Sequence, residues 1–516
     1  MVLSVLGIVA RTALLPRQPL WADEAFSLAL ATGHSLEHRQ DKSVPSLGDF
    51  VEPRQSVSAA TLQNYLTQER LSVSRIIRAT RLSDTNPPLY YILLGLWAFW
   101  GGTSDIALRS FSLILNVASL FLLATLMRRI TTPEAALAGA ALFAVSPWLI
   151  FYSVEVRMYS LMVFLASLNA FLTVPIREGK NLFWIPWAIV SAAGLWTHYF
   201  YVFPLAGITL YLFVFIPSKS RVYCYLSLVA VILMVTPWYS KLPSLLGEWR
   251  VSQGWELWRP ATYGLVKSPL TVASGWFSCR TSPPWNLWSN YRLCNGCAFA
   301  AFAAAAIIGG WRGGSRWFDS YLLLPGLWFL AAALGPTAFD LLRHSFISMI
   351  PRYSICAAPP ALALAGVSLS YIRPAGRRAL LVIIFVAWLP ILSAIFNSPS
   401  RFGPSAVLIA GHVNKQCERS DVVIIDATPS DILAVSRYLR AEIRVLPWVQ
   451  QLRGAYLPSS IDEVGLGIRR ILLVRMKSDR PSGIEAWLQR HGEGEHNVSI
   501  GTASVSIVNL VESNNS

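Results

Sequence analysis

The fold class is decided by residues 379–396, ALLVIIFVAWLPILSAIF, a run that holds no charged side chain. An α-helix needs about 20 apolar residues to cross the hydrocarbon core of a bilayer, and this run approaches that length. Similar runs lie at residues 135–151 and 223–239. Because several such runs exist, the sequence predicts a polytopic integral membrane protein.

The composition of the chain agrees with a membrane location. Of its 516 residues, 54% are hydrophobic and only 14% are charged, which is too apolar for an ordinary soluble protein. The formal net charge is +15, but the basic residues cluster in short connections between apolar segments rather than along one soluble face. The charge therefore reflects membrane topology, and no nucleic-acid partner is expected.

The apolar segments predict about eleven membrane spans. They cover residues 1–15, 106–127, 134–151, 158–175, 182–197, 200–216, 222–239, 298–311, 317–336, 354–372 and 379–397. Five connections between spans carry clustered basic residues, and the positive-inside rule places them in the cytoplasm. Their residues are Arg128 and Arg129, Arg177 and Lys180, Lys219 and Arg221, Arg312 and Arg316, and Arg373, Arg377 and Arg378.

Two apolar segments need separate interpretation. The first span is short and contains Arg11, so we expect either a start further upstream or a tilted or shallow helix. A cleaved signal peptide is the alternative, although no small-residue cleavage site follows. Residues 88–101, PLYYILLGLWAFWG, are too few to cross a bilayer. We predict an interfacial helix there, with its Tyr and Trp side chains at headgroup depth.

The predicted domains are a transmembrane domain, residues 1–397, and a polar tail, residues 398–516. The first contains two large outer loops, 16–105 and 241–297. In the tail, buried strands are predicted at 421–426 and 471–474, helices at 431–440 and 483–492, and terminal strand material at 498–511. The predicted fold class is therefore an all-α polytopic membrane protein with interfacial helices in the first outer loop and a small extracytoplasmic α/β domain. The tail has no glycine-rich phosphate loop.

Four of the cysteines are predicted to lie outside the membrane: Cys279, Cys294 and Cys297 in the second large loop and Cys417 in the tail. A disulfide such as Cys279–Cys294 would form in an oxidising compartment, and unpaired cysteines explain the pattern equally well. Metal or redox chemistry is less favoured, because the C-x-x-C pair Cys294 and Cys297 has no second pair or nearby His.

Asp23 and Glu24 stand side by side just after the first span, in LWADEAFSLA. Adjacent carboxylates raise one another's pKa, and such a site can hold a general base. The structural alternative is a helix covering residues 22–31, in which both acids favour the N-terminus.

A second polar group lies in YSVEVRMYS, between the third and fourth spans. Arg157 presents a planar fork of donors that suits a lipid phosphate at headgroup depth. The alternative is that Glu155 and Arg157 only cap and neutralise a tight turn between helices.

Other candidates precede or follow spans on the same predicted face. His198 ends the fifth span, where a hydrogen-bonding role at the interface is the alternative to catalysis. Arg343, His344, Arg352 and Tyr353 lie in LLRHSFISMIPRYS before the tenth span. Arg352 is either a second phosphate ligand or a side chain that extends to the lipid headgroups.

Five segments, in this order, resemble the polyprenol-phosphate-sugar-dependent glycosyltransferases of the C superfamily, especially the protein O-mannosyltransferases and aminoarabinose transferases of family 39 and its neighbours. They are WADEAFS, TNPPLYYILLGLWAFWGGTSDIALRS, SPWLIFYSVEVRMYS, THYF and PRYSICAAPPALAL. The segments lie discontinuously within residues 20–372, and their order and spacing are more specific than any one motif. The tail matches no motif of the family.

The resemblance implies roles for individual residues. Asp23 matches the proposed catalytic base of the family, with Glu24 beside it, and Arg157 matches an arginine that binds the donor phosphate. Arg352 and Tyr353 resemble the late outer-loop pair. The chain departs from the family at Asn86, where the segment that continues through Tyr90 usually has His or Lys before Pro-Pro.

The resemblance also implies an activity: inverting transfer of a hexose or pentose from a polyprenyl phosphate to an acceptor glycan, lipid or protein at the outer face of the membrane. No nucleotide is needed there. Related enzymes differ in their use of a divalent metal, so a metal cofactor is neither required nor excluded. The implied location is the bacterial inner membrane, among membrane lipids, with the C-terminal domain extracytoplasmic.

Two other classes stay open from the sequence. A lipid or glycan transporter or flippase would also be polytopic and polar at one face, but it should show repeated halves with broken helices near the midplane, and no repeat is visible. A catalytically silent relative would use the tail to bind a glycan or another partner.

Overall fold

A computed structural model describes residues 2–36, 38, 43–53, 55–67, 70–84, 86–241, 292–343, 347–449, 468–476, 484 and 492–510. The chain divides into two compact units. The helical unit comprises residues 1–15, 109–246 and 254–398, and the sheet unit comprises residues 16–108, 247–253 and 399–516. The first outer loop and the tail therefore fold together in the sheet unit.

The described helices are numbered in chain order. They are α1 Val2–Leu14, α2 Ala22–Ala31, α3 Ala59–Gln63, α4 Val73–Ser83, α5 Leu89–Gly101, α6 Asp105–Ile130, α7 Pro133–Val145, α8 Pro147–Ser153, α9 Tyr159–Arg177, α10 Trp184–Thr197, α11 Val202–Phe215, α12 Arg221–Tyr239, α13 Arg292–Gly313, α14 Leu323–Arg343, α15 Ala358–Ser370, α16 Pro374–Asn397, α17 Ala406–Gln416 and α18 Pro429–Ser436. The strands are β1 Val57–Ser58, β2 Val422–Ala427, β3 Arg444–Val449, β4 Arg470–Arg475, β5 Gly492–Ile500 and β6 Ala503–Leu510.

Seven helices in the described part of the chain are long and apolar enough to cross a membrane. The bent pair α7 and α8, which turn by 56° at their junction, makes an eighth if counted as one span. The predicted polytopic helical fold with a small C-terminal sheet is confirmed. Three of the predicted eleven spans are shorter helices, α1 with 13 residues and α10 and α11 with 14 each, below the length that a straight crossing needs.

One predicted boundary differs clearly from the structure. The ninth predicted span starts too early, because Gly314–Phe318 is a 3-10 helix and the Asp319 carboxylate accepts a hydrogen bond from the Tyr321 N–H at 2.8 Å, so α14 begins only at Leu323. Residues 88–101 do form a helix, α5, and its interfacial placement stays a prediction.

Small residues allow the closest helix contacts of the helical unit. A Cβ atom on Gly366 of α15 would lie 2.5 Å from the backbone nitrogen of Gly139 on α7. A Cβ atom on Gly7 of α1 would likewise collide with the backbone of Ala144. Apolar burial gives little net attraction between helices inside a bilayer, so close van der Waals approach of this kind stabilises the packing.

The sheet unit contains one six-stranded sheet, in the order β1-β3-β2-β4-β6-β5. Strand β2 is buried along its whole length and pairs in parallel with β3 and β4, which explains the apolar run Val422–Ile425 at its start. Strands β5 and β6 form an antiparallel hairpin through Gly501, whose φ is +64°. The predicted strands at 421–426 and 471–474 are confirmed.

Other parts of the tail were predicted less well. The helix predicted at 431–440 is α18, which starts at Pro429 and ends at Ser436, and the one predicted at 483–492 falls largely outside the described residues. Strand β3 escaped prediction because Pro447 interrupts its sequence. Strand β1 pairs only with Arg444 and Val445, so beyond them β3 has a single neighbour and tolerates a residue without an N–H.

The described cysteines are free thiols. Cys294 and Cys297 lie in the first turns of α13 rather than in a loop. The pairing Cys279–Cys294 involves Cys279, outside the described residues, and stays a prediction. Burial raises the pKa of Cys417 to about 11, so its thiolate is scarce at neutral pH and the thiol is inert.

Candidate functional site

The turn that carries Glu155 and Arg157 follows the break between helices α7 and α8 of the helical unit. Helix α7 ends before Ser146, whose hydroxyl accepts a hydrogen bond from the Leu149 N–H at the start of α8. The chain leaves α8 at Ser153 and enters α9 at Tyr159. The connection between α8 and α9 is therefore short, and Glu155 and Arg157 both lie in it.

Side chains of helix α6 donate hydrogen bonds to the backbone carbonyl groups of this turn. The Ser112 hydroxyl donates to the carbonyl of Glu155, and the Arg109 guanidinium donates to the carbonyl of Val154 at 3.4 Å. Glu155 is completely buried, whereas Arg157 is partly exposed. The Glu155 carboxylate therefore sits inside the protein.

Arg352 and Tyr353 lie in the short helical segment Pro351–Ala357, which packs against α9 and α14. The Arg352 guanidinium lies 5.7 Å from the centre of the Tyr353 ring, within cation–π distance. On the approach to this segment, the buried Asp340 of α14 accepts hydrogen bonds from the N–H groups of Ile347 (2.9 Å) and Ser348 (2.7 Å). Asp340 thus fixes the chain just before Arg352.

Arg157 lies two residues before Tyr159, the buried first residue of α9, and the segment that carries Arg352 packs against the same helix. The charges of Arg157, Arg352 and Glu155 all act on the Tyr159 hydroxyl. Tyr159 therefore lies within electrostatic reach of two guanidinium groups and one carboxylate. Glu155, Arg157, Arg352 and Tyr353 all lie within electrostatic reach of Tyr159, and their role in binding the donor phosphate stays a prediction.

His198 also belongs to this cluster. Its ring lies 5.8 Å from that of Tyr353, centre to centre, and the Tyr353 ring lies 5.4 Å from that of Phe200. The His198 Nδ1 atom accepts a hydrogen bond from the Phe200 N–H at 3.1 Å. His198 thereby caps the 3-10 turn Tyr199–Tyr201, which is the hydrogen-bonding role considered from the sequence. Two further candidates precede Arg352 in the sequence. Arg343 is the exposed last residue of α14, and His344 lies outside the described residues.

In the sheet unit, Asp23 and Glu24 occupy the first turn of α2, whose bounds match the predicted helix at 22–31. Glu24 is completely buried, and its carboxylate accepts a hydrogen bond from the Trp21 N–H at 3.3 Å. This contact satisfies an N–H that the helix itself leaves open. Asp23 is partly exposed, and the hydrogen bond from the Trp21 N–H goes to Glu24. The two neighbouring acids therefore have different surroundings.

Asn86 and Tyr90 both contact other residues around the start of α5 in the sheet unit. The Asn86 side chain donates to both carboxylate oxygens of Asp84, at 3.1 and 3.3 Å, and the Tyr91 hydroxyl donates to the same carboxylate. Tyr90 is completely buried and packs edge-on against Tyr91. Asp84 therefore organises the turn before α5.

Several residues of these clusters were absent from the sequence prediction. Tyr159 and Asp340 both lie in otherwise apolar helices, and an acidic residue in such a helix was a signal that could have pointed to Asp340. Within the described residues, no group of three His, Cys, Asp or Glu side chains is placed to hold a metal ion.

The chain matches no protein-family model and no curated protein sequence. Its structure is similar to ArnT, an aminoarabinose transferase from Cupriavidus metallidurans, in the apo state, with a TM-score of 0.62 and 11% identity over 99% of this chain and 98% of that one. The ArnT structure bound to undecaprenyl phosphate gives a TM-score of 0.57, also with 11% identity and coverage of 99% and 98%.

An oligosaccharyltransferase from Archaeoglobus fulgidus, in the apo form, is also similar, with a TM-score of 0.50 and 10% identity over 91% of this chain and 69% of that one. Identities this low bear on the fold alone. The chain has the polytopic membrane fold of ArnT and of this oligosaccharyltransferase.

Proposed function

We propose that this protein is a membrane glycosyltransferase that moves a sugar from a polyprenyl phosphate to an acceptor. The likeness to ArnT extends over nearly the whole of both chains, and one of those structures holds undecaprenyl phosphate. The observation that carries the proposal is the packing of the segment that holds Arg352 against α9, the helix that begins two residues after Arg157, because two arginines beside an apolar helix bundle suit a lipid phosphate.

The donor phosphate would be the ligand of this cluster. A glycosyl phosphodiester carries one negative charge, and it gains a second as the sugar leaves. Arginine forks bind phosphate oxygens through two parallel hydrogen bonds, and such contacts strengthen as negative charge develops. Arg157 and Arg352 therefore favour the departure of the polyprenyl phosphate, with the Tyr159 hydroxyl as a neighbouring donor.

Asp23 would act as the general base. Its carboxylate accepts the proton of the acceptor hydroxyl while the acceptor oxygen attacks the anomeric carbon and the bond to the phosphate oxygen breaks. One direct displacement inverts the anomeric centre. Glu24 is the less suitable base of the two, since its carboxylate already accepts the Trp21 N–H.

The orientation of the protein belongs to the same proposal. Basic clusters such as Arg128 with Arg129 are assigned to the cytoplasm, which places the tail and Asp23 on the extracytoplasmic side of a bacterial inner membrane. Nucleotide sugars are scarce there, and a lipid-linked donor supplies the activated sugar instead.

The test uses the full-length protein in liposomes, a panel of undecaprenyl-phosphate-linked hexoses and pentoses, and an envelope extract from the source cells as acceptor. We expect one donor to be cleaved to undecaprenyl phosphate with its sugar on a new product, both measured by mass spectrometry. Parallel reactions with a chelator determine metal dependence. Donor that crosses the bilayer uncleaved would indicate a transporter, and donor that binds without cleavage would indicate a silent relative.

A further inference from the structure

Besides Asp23 and Glu24, the sheet unit contains a carboxylate that the sequence did not indicate as a site residue. Asp431 sits in the first turn of α18, directly after the central strand β2. The Thr428 hydroxyl donates to the Asp431 carboxylate at 2.8 Å and accepts from the Asp431 N–H at 3.1 Å. This reciprocal pair of hydrogen bonds fixes the side chain in one position.

Helix α18 packs against α2, the helix that bears Asp23. The charge of Asp23 acts on the Asp431 carboxyl group. Desolvation by the surrounding protein, together with the charge of Asp23, raises the pKa of Asp431 to about 6, although the hydrogen bond from Thr428 opposes the shift. Two carboxylates from distant parts of the sequence are therefore coupled.

The other charged groups around α18 do not share this coupling. Besides α2, the helix packs against α3, α17, β2 and β3, and α3 carries no titratable side chain. The titratable or charged residues on these packed elements are Asp23, Glu24, His412, Lys415, Asp426 and Arg444. Among these described residues, Asp23 is the one whose charge contributes to the shift at Asp431.

The topology of the sheet gives Asp431 a favourable place. After β2 the chain leaves through α18 toward β3, whereas after β4 it continues to β5 on the far side of the sheet. The carboxyl ends of the parallel neighbours β2 and β4 thus form a topological switch point, and ligands of α/β sheets bind at such points. Asp431 follows the carboxyl end of β2.

We propose that Asp431 forms a carboxylate pair with Asp23, and that this pair, rather than Asp23 alone, takes up the proton of the acceptor hydroxyl. The inference rests on the proposed function. The acceptor oxygen forms its bond to the anomeric carbon, the bond from that carbon to the phosphate oxygen breaks with its electrons left on the phosphate, and the acceptor proton passes to the pair.

The pair has a definite charge state at each pH. Two neighbouring carboxylates bind their first proton more readily than an isolated carboxylate does, because that proton removes their repulsion. At pH 7 the Asp431 carboxyl group is mainly ionised and can accept a proton. As the pH falls through about 6, the pair already holds one proton and loses its function as a base.

The first experiment needs no enzymatic activity. Infrared titration of the full-length protein should show a protonated carboxyl band that disappears in Asp431→Asn, with a midpoint near pH 6 in the wild type. In Asp23→Asn this midpoint should move to lower pH, since the neighbouring charge is gone. An unchanged midpoint in Asp23→Asn would overturn the pairing.

The second experiment is the pH profile of sugar transfer. We expect an acid limb near pH 6 in the wild type, a shift of that limb to lower pH in Asp431→Asn, and a transfer rate at pH 7 lowered by about tenfold, the effect of one pKa unit. Asp431→Glu should restore the limb. A profile of Asp431→Asn that overlies the wild type would remove Asp431 from the reaction.

The matched control is Asp421, a buried carboxylate at the opposite, amino end of β2, which binds Arg470 at 2.6 Å. Asp421→Asn disturbs the same domain but should keep the acid limb at its wild-type pH. If the wild type transfers no sugar at all, the proposed function fails, while the infrared titration still decides whether Asp23 and Asp431 are coupled.

Discussion

The Nη2 atom of Arg11 lies 3.1 Å from the carbonyl oxygen of Phe143, four residues before Pro147. In a continuous helix that carbonyl would accept the N–H of residue 147, which proline lacks. Arg11 also donates to the carbonyl of Ala144 at the same break. A buried guanidinium thus replaces the backbone donors lost where α7 bends into α8.

Arg11→Met should therefore destabilise the protein by about 3 kcal/mol, because buried carbonyl groups would lose charge-assisted hydrogen bonds. Thermal unfolding in detergent measures the effect. Thr12→Ala is the matched control on the exposed face of α1, where the Thr12 hydroxyl only donates to its own helix. Equal melting temperatures for Arg11→Met and the wild type would contradict this account of the break.

Asp23→Asn should lower sugar transfer by roughly 10²- to 10⁴-fold, the usual contribution of a general base, and leave donor binding intact. Glu24→Gln is the paired control. Its amide oxygen can still accept the Trp21 N–H, so we expect a mild loss of stability and substantial activity. The reverse pattern, an active Asp23→Asn and an inactive Glu24→Gln, would transfer the role of base to Glu24.

Arg157→Lys should keep the positive charge yet lose transfer activity, because an ammonium group cannot make bidentate contacts with the donor phosphate. If Arg157 only neutralises Glu155, the double variant Glu155→Gln with Arg157→Gln should tolerate the change better than Arg157→Gln alone. Transfer is measured for all variants after each is shown to fold. Full activity of Arg157→Lys, or rescue by the double change, would make the arginine structural.

The first outer loop should lose stability in mild acid. Burial and the charge of Arg75 lower the pKa of His34 to about 4, from an ordinary value of 6.5. The unfolded loop therefore binds more protons between these values, so its stability falls as the pH drops from 6.5 toward 4. Burial also lowers the pKa of His38, and the two histidines act in the same direction.

Hydrogen exchange of residues 43–53, compared at pH 7 and pH 4.5 after correction for the intrinsic rate, measures this effect. The segment reports on the loop because the Val44 N–H and the Arg78 guanidinium both donate to the Asp49 carboxylate. The double variant His34→Gln with His38→Gln should show a weaker dependence on pH. An equal dependence in both proteins would rule out the histidines as its source.

The predicted orientation can be tested with single cysteines. Arg129→Cys and Arg377→Cys should resist an impermeant thiol reagent in intact cells, whereas Arg419→Cys, on an exposed position of the tail, should react. The wild-type chain provides the background of its native thiols. Labelling of the first two positions with protection of the third would invert the topology.

Local patterns in the sequence predicted the parts of the fold that local forces determine. The uncharged run 379–396 predicted α16, and the acids after Trp21 predicted the start of α2. The predicted spans 182–197 and 200–216 correspond to the shorter helices α10 and α11, which the 3-10 turn Tyr199–Tyr201 separates. Strand β3 was not predicted, because it contains Pro447. A proline is tolerated there because the neighbouring strand β1 stops before that residue, and a local sequence pattern does not show where a distant strand stops.

The candidate site divides in the same way. Motifs carried Asp23, Arg157 and Arg352, since each stands at the end of an apolar segment. Tyr159 and Asp431 carry no local signal. Their importance arises only from packing between helices that are far apart in the sequence, α9 with the segment Pro351–Ala357 and α2 with α18.

During biosynthesis, the edge strand β1 is made long before β3, the strand with which it pairs. Ser56, just before β1, binds Arg444 of β3 across 388 positions of sequence. At roughly 5–20 residues per second, a ribosome completes the partner strand about 20 to 80 s after it has made the first. The early segment must therefore stay soluble without its partner during the insertion of nearly every membrane helix, and a tail expressed alone would expose the flank of β3 that β1 covers.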